Sequence, residues 1–264
     1  MNQNDLRYLL KEKYNYTETQ LISIGNDLDE FLRKDLPKHL KEDIQKLEDG
    51  VPVAYLIGYS DFLNVRINLN YRTLIPRPET EYWVSLYIEK LKTIPKEIKA
   101  LDIFCGSGCI GIALAKNLPN LKITFTDLVP DSVNQTKENL KLNEINPNNY
   151  AVLESNIFEA INAQKFDYIF ANPPYVENIY QKMGDRGLAF EPATALFGGE
   201  DGLRVVEKFL DQLKKHLNPG GTCVMEFGHN QEEGIRKILE QNSFKDFEFF
   251  KDQFGIVRYV EIRI

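Results

Sequence analysis

A strand that runs into a tight glycine turn and on into a helix restricts this chain more than any other stretch of its 264 residues. Ala100-Leu101-Asp102-Ile103-Phe104 is apolar enough for a buried parallel strand. Cys105-Gly106-Ser107-Gly108 turns the chain, and Cys109 to Lys116 is an apolar helix. A βα unit cannot cover its own faces, so it needs further units on a shared sheet. The sequence supplies them. Leu121 to Phe125, Tyr150 to Leu153, Phe166 to Ala171 and Thr222 to Phe227 read as strands. Asp131 to Asn143, Leu203 to Leu217 and Gln231 to Gln241 read as helices. Phe247 to Phe250 and Val257 to Ile264, joined by Asp252-Gln253-Phe254-Gly255, read as a closing antiparallel hairpin. The expectation is an α/β, doubly wound, seven-stranded sheet with an antiparallel final hairpin.

Residues 1–50 are polar and helical in pattern, with Leu6, Leu9 and Leu10, then Leu21, Ile22, Leu28, Phe31 and Leu32, then Leu40, Ile44 and Leu47 at helical spacing. They predict a small helical domain, of the kind that serves as an interaction surface or lid. Residues 51–73 alternate: Tyr55 to Tyr59 and Val65 to Leu69 flank Ser60-Asp61 as a hairpin linker. Residues 74–264 form the sheet domain. Within it Pro78 with Glu79 and Glu81 suits a helix first turn, and Arg77, between two prolines, is stiffly displayed. Arg77, Glu79, Thr80 and Glu191 are candidates for the rim of a site. Net charge is −7, which disfavours non-specific nucleic-acid or anionic-membrane binding. Three unpaired cysteines and three scattered histidines give no disulfide framework and no metal spacing. With no membrane-length apolar run and no signal-peptide pattern, a cytoplasmic monomer is expected.

Phe166 to Ala171 ends at Asn172-Pro173-Pro174-Tyr175. Two prolines cannot continue a ladder, so the strand stops there. The C-terminal strand ends of open α/β sheets are where ligands bind. Asn172 offers a side-chain carbonyl, Pro173 a backbone carbonyl, and Tyr175 a flat ring. Two acceptors and a ring suit a planar group carrying an –NH2. The long segment from Val176 to Gly202 follows directly and can cover whatever binds.

Gly106-Ser107-Gly108-Cys109-Ile110-Gly111 is a literal G-x-G-x-x-G, and Asp127 ends the next strand at the spacing of a ribose-binding carboxylate. That fits a nicotinamide-dependent oxidoreductase as well as an S-adenosylmethionine enzyme. Three features favour S-adenosylmethionine. Asp102 lies inside the first strand, where it can face the cofactor's ammonium. The fourth strand ends in an amide-binding stretch and not in a hydride-transfer set. The final hairpin is the usual one of methyltransferase sheets. Cys105 and Cys109 read as small packing residues, and His229 as structural.

Leu74 to Glu81, Leu101 to Gly108, Asp127, Asn172 to Tyr175, Phe190-Glu191-Pro192, Gly198 to Leu203 and Glu226-Phe227-Gly228 with Gln231 together resemble the protein-(glutamine N(5)) methyltransferases of peptide chain release factors, the HemK/PrmC family. The similarity runs from about Gly50 to Arg263. It implies a Rossmann-like class I methyltransferase sheet behind a small helical substrate-recognition domain. It implies S-adenosylmethionine held by Asp102, Phe104, Cys105, Gly106, Ser107, Gly108, Asp127, Asn156, Ile157 and Asn172, with S-adenosylhomocysteine as product. The substrate implied is a release factor's Gly-Gly-Gln glutamine, bound by Asn172, Pro173, Pro174 and Tyr175, with Asn172, Pro173 and Tyr175 catalytic. The chain departs from the family pattern at Phe104-Cys105, where Gly-Thr is usual, and at Asn156, where Asp is usual. The Phe104 ring must therefore turn away or reshape the pocket. Alternatives are an adenine-N(6) nucleic-acid methyltransferase, a glutamine methyltransferase of another protein such as a ribosomal protein, a dinucleotide-dependent oxidoreductase, and a non-catalytic binding module. The acidic balance argues against a direct nucleic-acid partner.

Overall fold

The computed structural model describes residues 2–183 and 189–264, and of 181–183 the backbone alone. Four helices open the chain: α1 (Gln3–Tyr14), α2 (Glu18–Asn26), α3 (Leu28–Arg33) and α4 (Lys38–Glu48). Thr17 starts α2 with a capping box, its hydroxyl taking the Gln20 N–H while Gln20 reaches back. Leu6, Leu9, Leu10, Leu21, Leu40 and Leu47 close a small apolar core between these helices.

A fifth short helix, α5 (Val53–Ile57), corrects the expectation of a strand from Tyr55. Pro52 sets its start, and Gly58 ends it at φ 96°, a left-handed cap that glycine adopts without strain. Leu56 joins the helical core. The hairpin follows as β1 (Tyr59–Phe62) and β2 (Val65–Asn68). Ser60-Asp61 therefore lies in a strand. The turn is Leu63-Asn64, both at positive φ, and Glu81 accepts the Leu63 N–H at 2.8 Å.

The sheet domain runs α6 (Pro78–Lys92), β3 (Ile98–Ile103), α7 (Cys109–Asn117), β4 (Leu121–Asp127), α8 (Pro130–Leu142), β5 (Tyr150–Glu154), β6 (Phe166–Ala171), β7 (Val176–Glu177), α9 (Asn178–Met183), α10 (Ala193–Leu196), β8 (Phe197–Gly199), α11 (Arg204–Leu213), β9 (Leu217–Glu226), α12 (Glu232–Gln241), β10 (Asp246–Lys251) and β11 (Val257–Arg263). The seven-stranded sheet has the order β10-β11-β9-β6-β3-β4-β5. Pairing is parallel except around β11, which is antiparallel to both neighbours. The doubly wound sheet and its final hairpin are as read from the sequence. One boundary differs: Leu217 starts β9 and does not end a helix, because it pairs with Phe166 ahead of an irregularity in the register.

Side chains alternate across the sheet. Ala100, Phe170 and Val224 face the layer of α6, α7 and the hairpin, where Trp83, Val84, Tyr87 and Leu91 are buried. Leu101, Ile103, Ile169 and Met225 face Phe209, Leu213 and Ile235 of α11 and α12. Helix α6 begins as expected, with Pro78 at its first position, Glu79 and Glu81 in the first turn and Lys90 and Lys92 in the last. Among the described residues no helix is long and apolar enough to cross a membrane. The expected cover from Val176 to Gly202 is described except at 184–188, and its ends pair as a short parallel ladder, β7 on β8.

Candidate active site

The strand order reverses between β3 and β6, and this reversal places the site. Ile103 and Ala171 are register partners and the last residues of their strands. The glycine turn and Asn172-Pro173-Pro174-Tyr175 therefore leave the sheet side by side. A cleft of about 520 Å³ opens there, within the usual size of a small-molecule site.

One wall is the glycine turn and the ends of β4 and β5. Gly106 sits at φ 55°, with open space where a Cβ would lie. Asp127 accepts the Gly106 N–H at 2.8 Å through Oδ2 and the Val129 N–H at 2.9 Å through Oδ1. Burial nevertheless pushes its carboxyl above the ordinary range. Phe104 adopts φ 61°, and its ring turns edge-on to Phe209 at 5.7 Å. The ring thus leaves the glycine turn and joins the core under α11. Ile157 also holds a positive φ, 52°, unusual for a β-branched residue. Ser155 supports this turn: its hydroxyl donates to the Ile157 carbonyl at 2.9 Å and accepts the Ala160 N–H at 3.0 Å. Asn156 donates to Glu159 at 2.8 Å, so its amide oxygen is the atom turned from Glu159. Phe104, Cys105, Gly106, Ser107, Asp127, Asn156 and Ile157 all line the cleft.

The other wall carries Asn172, Pro174, Arg77 and Thr80. Asn172 Nδ2 lies 3.4 Å from Thr80 Oγ1, and Thr80 Oγ1 donates to Glu226 Oε2 at 2.7 Å. The same Glu226 oxygen accepts the Trp83 indole N–H at 2.8 Å, while Oε1 accepts the Tyr175 hydroxyl at 3.1 Å. Glu226 is 1% exposed, and its register explains the meeting. Met225 pairs with Ala171, so Glu226, the last residue of β9, and Asn172, the first beyond β6, stand at one level. Gln231 donates to the Tyr175 carbonyl at 2.9 Å and accepts the Gly228 N–H at 2.8 Å. Gly202 must be glycine here: a Cβ would lie 2.0 Å from the Tyr175 carbonyl oxygen. Glu191, buried, accepts the Ile75 N–H at 3.1 Å and pairs with Arg77, fastening the segment that ends the cover to the cleft rim.

Several expected residues stand elsewhere. Asp102 does not line the cleft. Its Oδ2 accepts the Gly111 N–H at 2.9 Å, at the N-terminus of α7, where unpaired donors attract a carboxylate. Tyr175 lies behind the wall and not on it, because its hydroxyl serves Glu226, whose buried oxygens require donors. Pro173 is buried beside it, and Gly108 faces Thr136 on α8. Glu79 and Glu191 do not line the cleft either; Glu191 acts through Arg77. His229 is exposed. Burial pushes the Cys109 thiol up to about 12 and Cys105 well above its ordinary range, as befits packing residues. The sequence reading gave Glu226 and Gln231 no role; the signal was an acid ending an otherwise apolar strand, ahead of Phe227-Gly228.

A methyltransferase small domain model matches residues 84–186. The release factor glutamine methyltransferase of Clostridium botulinum (strain Hall) is 34% identical over 236 residues, 85% of this chain and 83% of that protein. The release factor glutamine methyltransferase of Aquifex aeolicus is 32% identical over 227 residues, 86% of this chain and 80% of that protein. The crystal structure of ribosomal protein L11 methylase from Lactobacillus delbrueckii subsp. bulgaricus shares the fold, with a TM-score of 0.53 at 21% identity over 75% of this chain and 82% of that one.

Proposed function

The chain belongs to the release factor glutamine methyltransferase family, and from that premise we propose that it transfers a methyl group from S-adenosylmethionine to the side-chain amide nitrogen of the Gly-Gly-Gln glutamine in a peptide chain release factor. The observation that carries this reading is that Asp127 and Asn172 line one cleft at the strand reversal. In this reading Asp127 marks the nucleoside end of the cleft and Asn172 the amide end.

The residues fit the cofactor. Open space over Gly106 admits close approach to the backbone. Thr126 Oγ1 is buried on the lining with no partner among the described residues. Asp127, with both oxygens already oriented by backbone donors, keeps lone pairs for ribose hydroxyls. Asn156 presents an amide oxygen to an adenine amino group. S-Adenosylmethionine supplies a methyl group on a sulfonium, so transfer breaks the S–CH3 bond, forms N–CH3 and returns the electron pair to sulfur.

The chain's own contribution is positioning. An amide nitrogen is a poor nucleophile, because its lone pair is shared with the carbonyl. Holding it in line with the methyl group is worth several kcal/mol, up to about 7–11 in ideal cases. Asn172 Oδ1 accepts one amide hydrogen and favours positive charge developing on nitrogen, and the Pro173 carbonyl, although that residue is not among those lining the cleft, is the expected second acceptor. Tyr175, expected over the amide, instead holds this strand end through Glu226 and Gln231. No strong base is required, since a protonated, methylated amide gives its proton to water readily. Two glycines beside the acceptor let an extended backbone enter a narrow cleft. The helical domain of residues 1–50 holds the rest of the release factor.

The test is labelled-methyl transfer to a release factor, to its Gly-Gly-Gln form with Gln→Ala, and to DNA. Label on the intact factor alone is expected, and Asn172→Ala is expected to abolish it with little change in cofactor binding. Label on DNA alone, or a fully active Asn172→Ala, rejects the assignment.

A further inference from the structure

A side-chain amide has two ends that differ in chemistry and hardly in shape, so a catalytic asparagine needs something to tell them apart. In this cleft the discrimination comes from a carboxylate that never meets the substrate. We propose that Glu226, acting through Thr80, fixes the Asn172 amide with its nitrogen toward Thr80 and its oxygen toward the cleft, which makes Glu226 and Thr80 positioning residues for the transfer.

The argument follows the hydrogens. An indole N–H can only donate. Trp83 therefore compels Glu226 Oε2, 2.8 Å away, to be an acceptor. Thr80 Oγ1 lies 2.7 Å from that same oxygen, so its single hydrogen points at Glu226. What Thr80 turns toward Asn172 is a lone pair. Only the amide nitrogen of Asn172 can satisfy a lone pair, at 3.4 Å. Its oxygen is left for the cleft that Asn172 lines. The logic requires only that Oε2 carry no proton, which holds for an ionised Glu226. A proton on Oε1, shared with the Tyr175 hydroxyl at 3.1 Å, leaves Oε2 an acceptor. Trp83 and Glu226 are 0% and 1% exposed, so water cannot replace the bond between these two. Flipping the amide would set two acceptors, Thr80 Oγ1 and Asn172 Oδ1, against each other.

The consequence for catalysis rests on the glutamine-amide reading above. A flipped Asn172 would present –NH2 to the –NH2 of the acceptor. Thr80→Val keeps the side chain's shape and removes both its hydrogen and its lone pairs, whereas Thr80→Ser keeps both. Glu226→Gln can still offer its oxygen to Trp83 and Thr80 while its –NH2 donates to the Tyr175 oxygen, so it preserves the relay.

The experiment compares these three variants with the wild-type protein on two readouts. The first is the Asn172 side-chain amide resonance in 15N NMR, identified by its loss in Asn172→Ala. The second is kcat for the release factor, beside KM and the calorimetric Kd of S-adenosylhomocysteine. Thr80→Val is expected to shift the Asn172 resonance and to lower kcat about tenfold or more, with that Kd unchanged. Thr80→Ser and Glu226→Gln are expected to hold the wild-type resonance and to stay within about threefold in kcat. An unmoved resonance or full kcat in Thr80→Val overturns the relay, and so does a Thr80→Ser as impaired as Thr80→Val. If the wild-type protein methylates no release factor, the substrate reading fails, while the NMR comparison still decides whether Thr80 orients Asn172.

Discussion

Gly111 is fixed by a clearance and not by a turn. A Cβ there would lie 2.3 Å from the Phe125 ring and 2.9 Å from Asp102 Oδ2. Gly111→Ala must push α7 off the sheet and is expected to cost about 1–3 kcal/mol, read as a fall in Tm. Its partner Asp102 supplies a pH signature. Burial, with Asp127 adding to it, raises the Asp102 carboxyl to about 7, although the Gly111 N–H pulls the other way. The folded protein thus binds a proton that the unfolded chain has already released above about pH 4. Stability is expected to fall as pH rises from about 4 to about 7 and to level off above. Asp102→Asn still accepts the Gly111 N–H and removes the titration. It should therefore flatten that slope, a difference of roughly a few kcal/mol between pH 5 and pH 8 in denaturant unfolding.

Helix α8 shows what an element does beyond its pattern. Gln135, Asn139 and Asn143 stand four residues apart on one face, and all three are buried. They do not face water. Asn143 and Asn139 each take the N–H and return a donor to the carbonyl of Arg66 and Asn68 on β2, and Gln135 accepts the Tyr71 N–H at 2.9 Å. The stripe of amides thus pairs the free edge of the hairpin as another strand would. Asn139 also donates to the Ser107 carbonyl at 2.9 Å, and Thr136 to the Gly106 carbonyl at 3.1 Å. Hairpin and glycine turn share one support. Asn139→Ala leaves both backbones with unpaired buried groups. It is expected to cost about 1–3 kcal/mol and also to weaken cofactor binding, checked by melting and by calorimetry with S-adenosylhomocysteine.

Across the whole molecule, the helical core and the sheet core meet at the hairpin. Leu56 belongs to the helical core, and Tyr59 at the start of β1 donates to Glu12 of α1 at 2.5 Å. A cut before Val51 would strand Leu56 without its partners, whereas one before Tyr59 would not. Residues 51–58 also serve the sheet core, however: Ala54 and Tyr55 pack against it, Tyr55 donates to the Thr73 carbonyl at 2.7 Å and the Gly58 carbonyl accepts the Leu69 N–H at 2.9 Å, so residues 59–264 are expected to be less stable than residues 51–264 by about 1–3 kcal/mol, read as a lower Tm. If the helices hold the release factor, either truncation keeps cofactor affinity and raises KM for the factor by about tenfold or more. Unchanged KM would leave the helices without that role.

The sequence alone determined what a few neighbouring residues can enforce. The glycine turn after β3, the stop at Pro173-Pro174, the proline start of α6 and the antiparallel finish all follow from backbone constraints acting within a few positions. The periodicity that gives the sheet is local in the same sense. Local pattern fails where a neighbour overrides it: Tyr55 to Ile57 is helix because Leu56 packs with the opening helices, and Leu217 is strand because Phe166 pairs with it. The tertiary structure decided what depends on register and packing. It drew Asp102 to a helix N-terminus, put Tyr175 behind the cleft wall, and turned the Phe104 ring toward Phe209. It also joined Thr80, Asn172 and Glu226, which lie 92 and 146 positions apart in the pairs that bond. No local pattern encodes that meeting, because it exists only once β6 and β9 lie side by side with Ala171 opposite Met225.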